Sequence, residues 1–131
     1  MKAIVHKDIK PENLLIDDIG YIHITDLGIA RQWKPDNNYD NAGTPEYMGK
    51  PDFRILAPEI LLNQQYGVSA DYYAVGIICY ELVKATVWAN QRPYKGKSRK
   101  EIIEKNKYHS VTIEIEGVTQ ECKDFINKVI H

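Results

Sequence analysis

The sequence lacks several features that mark large classes of protein. Its two cysteines, Cys79 and Cys122, are too few for a disulfide framework and form no C-x-x-C pair. Its 17 basic and 18 acidic residues give a net charge of −1, which provides no electrostatic footprint for nucleic acid or an anionic membrane. The longest apolar run, Tyr72 to Tyr80, is too short to cross a bilayer. These absences predict an intracellular, cytoplasmic protein without a nucleic-acid or membrane partner.

The first half of the chain is typical of a β-hairpin followed by a long loop. Two short apolar or alternating runs, Leu14 to Ile16 and Tyr21 to Thr25, flank a turn that contains Gly20. From Ala30 to Leu56 no helical or strand period is sustained, and Pro, Asn, Gly and Asp recur. A structureless stretch of this length in a compact domain is normally functional or disordered.

The second half predicts helices, and together the two halves predict a mainly α member of the α+β class. A short helix is expected from Pro58 to Asn63, with Pro in its first turn. Ser69 to Trp88 is apolar on every face, so it should be buried. Ser98 to Glu101 forms a capping box that opens a helix to about Lys107. The last helix, Thr119 to Ile130, is amphipathic and places on one face Cys122, Phe125, Ile126 and Val129.

Residues 6 to 13 read His-Lys-Asp-Ile-Lys-Pro-Glu-Asn, and Asp26-Leu27-Gly28 begins thirteen residues after Asn13, on the far side of the hairpin. A turn and a hairpin can aim these two Asp residues, a Lys and an Asn at one point, which suits a hydroxyl and a metal-bound phosphate. With Gly43-Thr44-Pro45-Glu46-Tyr47, the motifs resemble those of Ser/Thr protein kinases, with features of the AGC group.

The resemblance implies that residues 1–131 are a partial protein kinase domain: the large, carboxy-terminal lobe, truncated at both ends. Only Met1 to Val5 precede His6 and the chain has no G-x-G-x-x-G, so the small lobe is expected to be absent. Within a complete domain, the implied activity is transfer of the ATP γ-phosphate to Ser or Thr of a protein substrate, with Mg²⁺. The alternative is a non-catalytic kinase-like binding module or a truncated gene product. Oligomeric state is left open.

The resemblance also implies a role for each motif residue. Asp8 would accept the substrate hydroxyl proton, Lys10 would face the transferred phosphoryl group, and Thr44 would favour hydroxyl substrates of the Ser/Thr type. The residues expected to bind cofactor are Lys10, Glu12, Asn13 and Asp26, of which Asn13 and Asp26 would hold the metal. For Glu12, a contact with a basic substrate side chain is the alternative. Asp71 would tie the backbone of the catalytic loop in place.

Four departures from the family pattern bear on activity. Lys7 stands where many kinases have Arg, and Lys cannot form a bidentate fork on a phosphate. Leu27 replaces the usual Phe. Asp40, four residues before Thr44, is either a weak imitation of a phosphorylated residue or a solvated loop acid. Residues 49–56 are inserted before Ala57-Pro58-Glu59, as a genuine loop or a retained intron.

Two further expectations concern residues outside this set. The Glu59 carboxylate should lack its usual Arg partner, which in kinases lies beyond the point where this chain stops. His6 and His23 lack the Cys or His neighbours of a metal site, so each is interpreted as a packed or exposed side chain.

Overall fold

A computed structural model of the protein describes residues 3–34, 56–62, 64–87, 100–101, 104 and 117–130. Its elements, in chain order, are strand β1 (Ile4–Val5), a 3₁₀ turn (Pro11–Asn13), strands β2 (Leu14–Ile16), β3 (Ile22–Ile24) and β4 (Arg31–Gln32), and helices α1 (Pro58–Leu61), α2 (Ser69–Val87) and α3 (Gln120–Ile130). The mixture of helices and small sheets agrees with the predicted α+β class.

The predicted hairpin is confirmed as an antiparallel pair. Leu14 lies opposite Ile24 and Ile16 opposite Ile22. Gly20 closes the turn with a φ of 92°, a conformation that glycine adopts without steric cost. Because the strands leave the turn side by side, the hairpin brings Asn13, just before β2, next to Thr25, just after β3.

A second small sheet lies at the start of the predicted loop. Arg31 pairs with Val5 and Gln32 with Ile4, and the Trp33 N–H donates to the Ala3 carbonyl at 2.9 Å. The prediction of a loop from Ala30 to Leu56 was therefore wrong at its first residues. A two-residue strand has no visible period of its own, since its stability comes from a partner distant in sequence.

The core lies between α2 and α3. Ile77 and Ile126 are completely buried, and Leu61 of α1 and Ile9 belong to the same cluster. Gly76 allows the two helices to approach, because a Cβ built there would lie 2.5 Å from Val129 Cγ2 and 2.8 Å from Ile130 Cγ1. Both distances are shorter than real Cβ contacts, so a larger residue would force the helices apart.

The sequence predicts that the helix from Ser69 to Trp88 is buried, and for α2 this is correct only in part. It supplies much of the core, but the Tyr72 and Leu82 side chains are each 62% exposed. On α3, Phe125 is 50% exposed and does not join the predicted buried face, whereas Ile130 is buried. The reason is helical geometry: residues 126 and 130 lie one turn apart toward α2, and residue 125 is rotated away from them.

The remaining predicted elements are only partly described. The short helix ends at Leu61 rather than at Asn63. Of the helix predicted from Ser98, Lys100, Glu101 and Glu104 are described, and they are helical. Thr44, Asp40 and all of the insertion except Leu56 lie outside the described residues. No described helix is long and apolar enough to span a membrane.

Candidate active site

The 3₁₀ turn after Lys10 places Asn13 against Asp8. Pro11 starts the turn, where its missing N–H costs nothing, and Asn13 ends it as a buried side chain. The Asn13 amide nitrogen donates to the Asp8 carbonyl oxygen at 2.8 Å and to Asp8 Oδ2 at 3.0 Å. One amide group therefore fixes both the backbone and the carboxylate of Asp8.

Lys10 forms an ion pair with the same carboxylate oxygen, with Nζ 2.6 Å from Asp8 Oδ2. This hydrogen bond raises the pKa of Lys10, and the charges of Asp8, Glu12 and Asp26 act in the same direction, against partial desolvation. Lys10 is consequently positive throughout the neutral pH range. Because both side chains retain some solvent exposure, the pair defines a geometry more than it stabilises the fold.

Asp26 reaches this region through Thr25. The Thr25 N–H donates to the Asn13 carbonyl at 2.9 Å, and its hydroxyl donates to the same oxygen at 3.2 Å. Asp26 follows with a φ of 61°, in the left-handed region, and its Oδ1 accepts the Gly28 N–H at 3.2 Å. The hairpin thus delivers an acidic residue next to the Asn13 backbone in a conformation that non-glycine residues seldom adopt.

The His6 side chain connects the segment that contains Asp8 with the segment that contains Thr25. The Asp8 N–H donates to His6 Nδ1 at 3.3 Å, so Nδ1 is unprotonated. Nε2 then carries the hydrogen and donates to the Thr25 carbonyl at 3.0 Å. The buried imidazole therefore bridges the Asp8 backbone N–H and the Thr25 carbonyl. The sequence left His6 as either packed or exposed, and the structure shows it buried. The sequence analysis did not predict this bridge, for which the position of His6 two residues before Asp8 was the available signal.

The Asp71 carboxylate binds the backbone just before Asp8. Its Oδ2 accepts the His6 N–H at 2.6 Å and its Oδ1 accepts the Lys7 N–H at 2.9 Å. Asp71 lies in the first turn of α2, so a core helix anchors these two amides. The contact agrees with the role that the family resemblance implied for Asp71.

The oxygen atoms of Asn13 and Asp26 fit a hard cation. Within the described part of the chain, no hydrogen bond reaches Asn13 Oδ1 or Asp26 Oδ2. Amide and carboxylate oxygens are ligands that Mg²⁺ accepts while it keeps waters and phosphates as its other partners. The described residues contain no cluster of three or more His, Cys, Asp or Glu suited to a metal, so a closed protein cage is not formed there.

The other residues singled out in the sequence, Glu12, His23 and Glu59, are exposed or only partly buried. Glu12 is exposed on the 3₁₀ turn and contributes its charge to Lys10. His23 is on the hairpin surface, where Nε2 lies 2.9 Å from Asp17 Oδ2. Glu59 is only partly buried and accepts a hydrogen bond from Ser69 Oγ at 3.5 Å, so its charge is not a fully buried one left without a partner.

One contact was not expected from the sequence. The Lys7 ammonium lies over the Tyr66 ring, 5.5 Å from its centroid. Since the two residues are far apart in the chain and Tyr66 belongs to no predicted motif, no local pattern connects them.

Comparison with known proteins identifies the family. The family model for the protein kinase domain matches residues 1–131. The chain is 33% identical to rat rhodopsin kinase GRK1 over 132 aligned residues, 98% of this chain and 22% of the relative. It is 40% identical to the Drosophila melanogaster cGMP-dependent protein kinase, isozyme 1, over 65% of this chain and 10% of the relative. It is 44% identical to the catalytic subunit of Dictyostelium discoideum cAMP-dependent protein kinase, over 61% of this chain and 11% of the relative.

The chain therefore spans less than a quarter of the length of each of these curated relatives. Their names agree with the predicted resemblance to Ser/Thr protein kinases of the AGC group, and that resemblance is confirmed. The whole-length match to the family model shows that the chain belongs to the protein kinase domain family.

Proposed function

We propose that residues 1–131 are the large-lobe part of a Ser/Thr protein kinase, which transfers the γ-phosphate of ATP to a protein hydroxyl when a complete domain is present. The observation that carries this proposal is the fixed orientation of the Asp8 carboxylate. Lys10 and Asn13 both hold its Oδ2, at 2.6 and 3.0 Å. In the described residues no hydrogen bond reaches Oδ1, so that oxygen is left for a substrate.

In this proposal Asp8 Oδ1 accepts the hydrogen of a substrate Ser or Thr hydroxyl and orients its oxygen for in-line attack. Phosphoryl transfer demands positioning and charge neutralisation more than covalent chemistry from the protein. A carboxylate whose other oxygen is already bonded has little freedom to rotate, so the entropy of orienting it is lost before the substrate binds. The Lys10 ammonium lies next to Asp8 Oδ2 and would supply positive charge where the phosphoryl group arrives.

Asn13 and Asp26 would hold Mg²⁺, which when bound to ATP neutralises phosphate charge. Glu12 is exposed on the same turn, where it can meet the ribose edge of a nucleotide or a basic side chain of a protein substrate. Thr44, in the Gly43-Thr44-Pro45 motif, would set the preference for Ser and Thr hydroxyls.

An exposed apolar surface supports the large-lobe assignment. Both faces of the hairpin carry large aliphatic side chains that are more than half exposed: Leu15, Ile16, Ile22 and Ile24. Contiguous apolar surface of this kind generally marks a contact with another domain or partner. In the proposed complete kinase, the small lobe covers this hairpin and closes the nucleotide site.

The function is tested by joining the chain to a small lobe. We would graft the small lobe of the cAMP-dependent protein kinase catalytic subunit, a 44% identical relative over the matched region, and measure transfer of labelled γ-phosphate to Ser, Thr and Tyr peptides. We expect transfer to Ser and Thr, with Asp8→Asn lowering the rate by ~10²-fold or more. Asp18→Asn is the matched control, because Asp18 is an exposed acid on the hairpin turn.

Two results would contradict the proposal. Activity that survives Asp8→Asn would remove Asp8 from the reaction. A folded graft without transfer to any peptide, in an assay where the donor kinase is active, would instead favour the non-catalytic binding module.

A further inference from the structure

The residue just before Asp8 is held in an unfavourable backbone conformation. Lys7 has a φ of 71°, in the left-handed region, where its Cβ crowds the following carbonyl oxygen. Such a residue keeps that conformation only when the surrounding structure determines it. The direction of the Asp8 side chain depends directly on this peptide unit, so whatever holds Lys7 also positions Asp8.

Two contacts hold Lys7, and they act on different parts of it. Asp71 accepts its backbone N–H at 2.9 Å. The Lys7 side chain extends to the segment between α1 and α2, where its ammonium lies 5.5 Å from the centre of the Tyr66 ring. A cation within about 6 Å of an aromatic face is attracted by the ring quadrupole, most strongly where water is partly excluded.

The electrostatic surroundings explain why the aromatic face matters. Burial lowers the pKa of Lys7, the charge of Arg31 lowers it further, and Asp71 acts in the opposite direction. The charged ammonium is thus disfavoured at its position by both desolvation and a neighbouring cation. Tyr66 is also partly buried, and burial raises the pKa of its hydroxyl, so its ring is neutral at physiological pH.

We propose that Tyr66 is a positioning residue for the catalytic loop: its ring binds the Lys7 ammonium and so keeps the left-handed turn that orients Asp8. The inference deepens the proposed function, on which it rests, because it assigns a role to a residue that touches no reacting atom. Lys7 cannot form the bidentate fork that an Arg at this position would offer, and the Tyr66 ring gives it a contact suited to a single ammonium group.

The test measures loop order directly, in the 131-residue chain without nucleotide. Hydrogen exchange would be followed at the His6, Lys7 and Asp8 amides, with the hairpin-turn amides of Asp17 and Gly20 as internal reference. We expect Tyr66→Leu to lower the protection of the loop amides by about two- to fivefold relative to the reference. Tyr66→Phe keeps the aromatic face and should keep most of the protection.

A double-mutant cycle separates ring–cation attraction from packing. Lys7→Met retains most of the apolar stem but removes the charge. If the ring acts through the ammonium, Tyr66→Leu should have no further effect on loop protection in the Lys7→Met background. Equal effects of Tyr66→Leu in both backgrounds would show a packing role and overturn the inference.

The titration of Lys7 gives an independent measurement. Removing the ring should lower the pKa of Lys7 further, because the charged form loses a partner, whereas Tyr66→Phe should leave that pKa unchanged. Loss of loop protection in Tyr66→Phe equal to that in Tyr66→Leu would assign the effect to the hydroxyl and overturn the inference. Failure of the phosphotransfer assay would leave these results standing, since neither readout requires activity.

Discussion

Asp71→Asn should destabilise the fold more than any other exchange of a partly exposed acid in the described chain. The variant keeps the shape of the side chain but leaves one carbonyl oxygen where two carboxylate oxygens accept the His6 and Lys7 N–H groups. One of those amides would then face an NH₂ group, and the other would bond to a neutral acceptor instead of a charged one.

The magnitude follows from these two changes. A hydrogen bond to a charged group contributes about 1.5–3 kcal/mol, and a neutral one about 1 kcal/mol. Losing one charged bond and weakening the other should cost roughly 2–4 kcal/mol, the lower part of the range applying where water reaches the partly buried site. That is a large fraction of the ~5–15 kcal/mol by which domains are stable.

The assay is urea denaturation followed by circular dichroism. With a slope of about 2 kcal/mol per molar urea, the middle of the usual range, the midpoint should fall by roughly 1–2 M without a change in slope. Glu121→Gln is the control, since Glu121 also lies in the first turn of a helix, and this variant reports the helix-dipole contribution together with hydrogen bonds confined to that turn. An Asp71→Asn midpoint no lower than that of Glu121→Gln would refute the assignment of Asp71 as the anchor of the loop.

Three other outcomes can be measured on the same chain. Gly76→Ala should cost about 1–3 kcal/mol in urea denaturation, because the new methyl group meets Val129, and Val129→Ala in that background should restore part of the loss; no rescue would contradict the steric argument. The pKa of Asp17 is lowered, first by its hydrogen bond with His23, so its stabilising effect is present at neutral pH and is lost as the pH falls through that depressed value. An NMR titration of the Asp17 carboxyl should show its pKa rising in His23→Gln. An unchanged Asp17 pKa would mean that His23 is not the cause of the shift. Burial, and then the charge of Cys122, raises the pKa of Cys79, so iodoacetamide should modify Cys79 more slowly in the folded chain than in urea, whereas equal rates would mean an open thiol.

The elements that the sequence predicted correctly carry their own local signals. The hairpin has alternating residues and a turn glycine, α3 has an amphipathic period, and the Asp8 to Asn13 motif is contiguous in the chain. The structure joins Asp8, Lys10 and Asn13 by hydrogen bonds, and Asp26 follows the Thr25 that bonds to Asn13.

What the sequence did not predict depends on pairs of residues that are distant in the chain. Strand β4 forms because it pairs with β1, in which Val5, the partner of Arg31, lies 26 residues earlier in the chain. The exposure of Tyr72 on α2 depends on which sides of the helix are covered, and an apolar pattern alone does not reveal its neighbours. The contact between Lys7 and Tyr66 likewise follows from the tertiary fold.

Among the residues that the structure describes, two non-glycine residues have a positive φ, Lys7 and Asp26. Both lie in the candidate site, one just before Asp8 and the other just after Thr25. Each such conformation costs on the order of 1–3 kcal/mol, and the free energy gained by packing elsewhere in the domain offsets this cost. A glycine at either position would relieve that cost, yet would free the backbone that now directs a carboxylate. Selection for thermal stability and selection for a fixed site therefore favour opposite residues at positions 7 and 26, and libraries screened for stability alone should enrich Gly there while losing the geometry of the site.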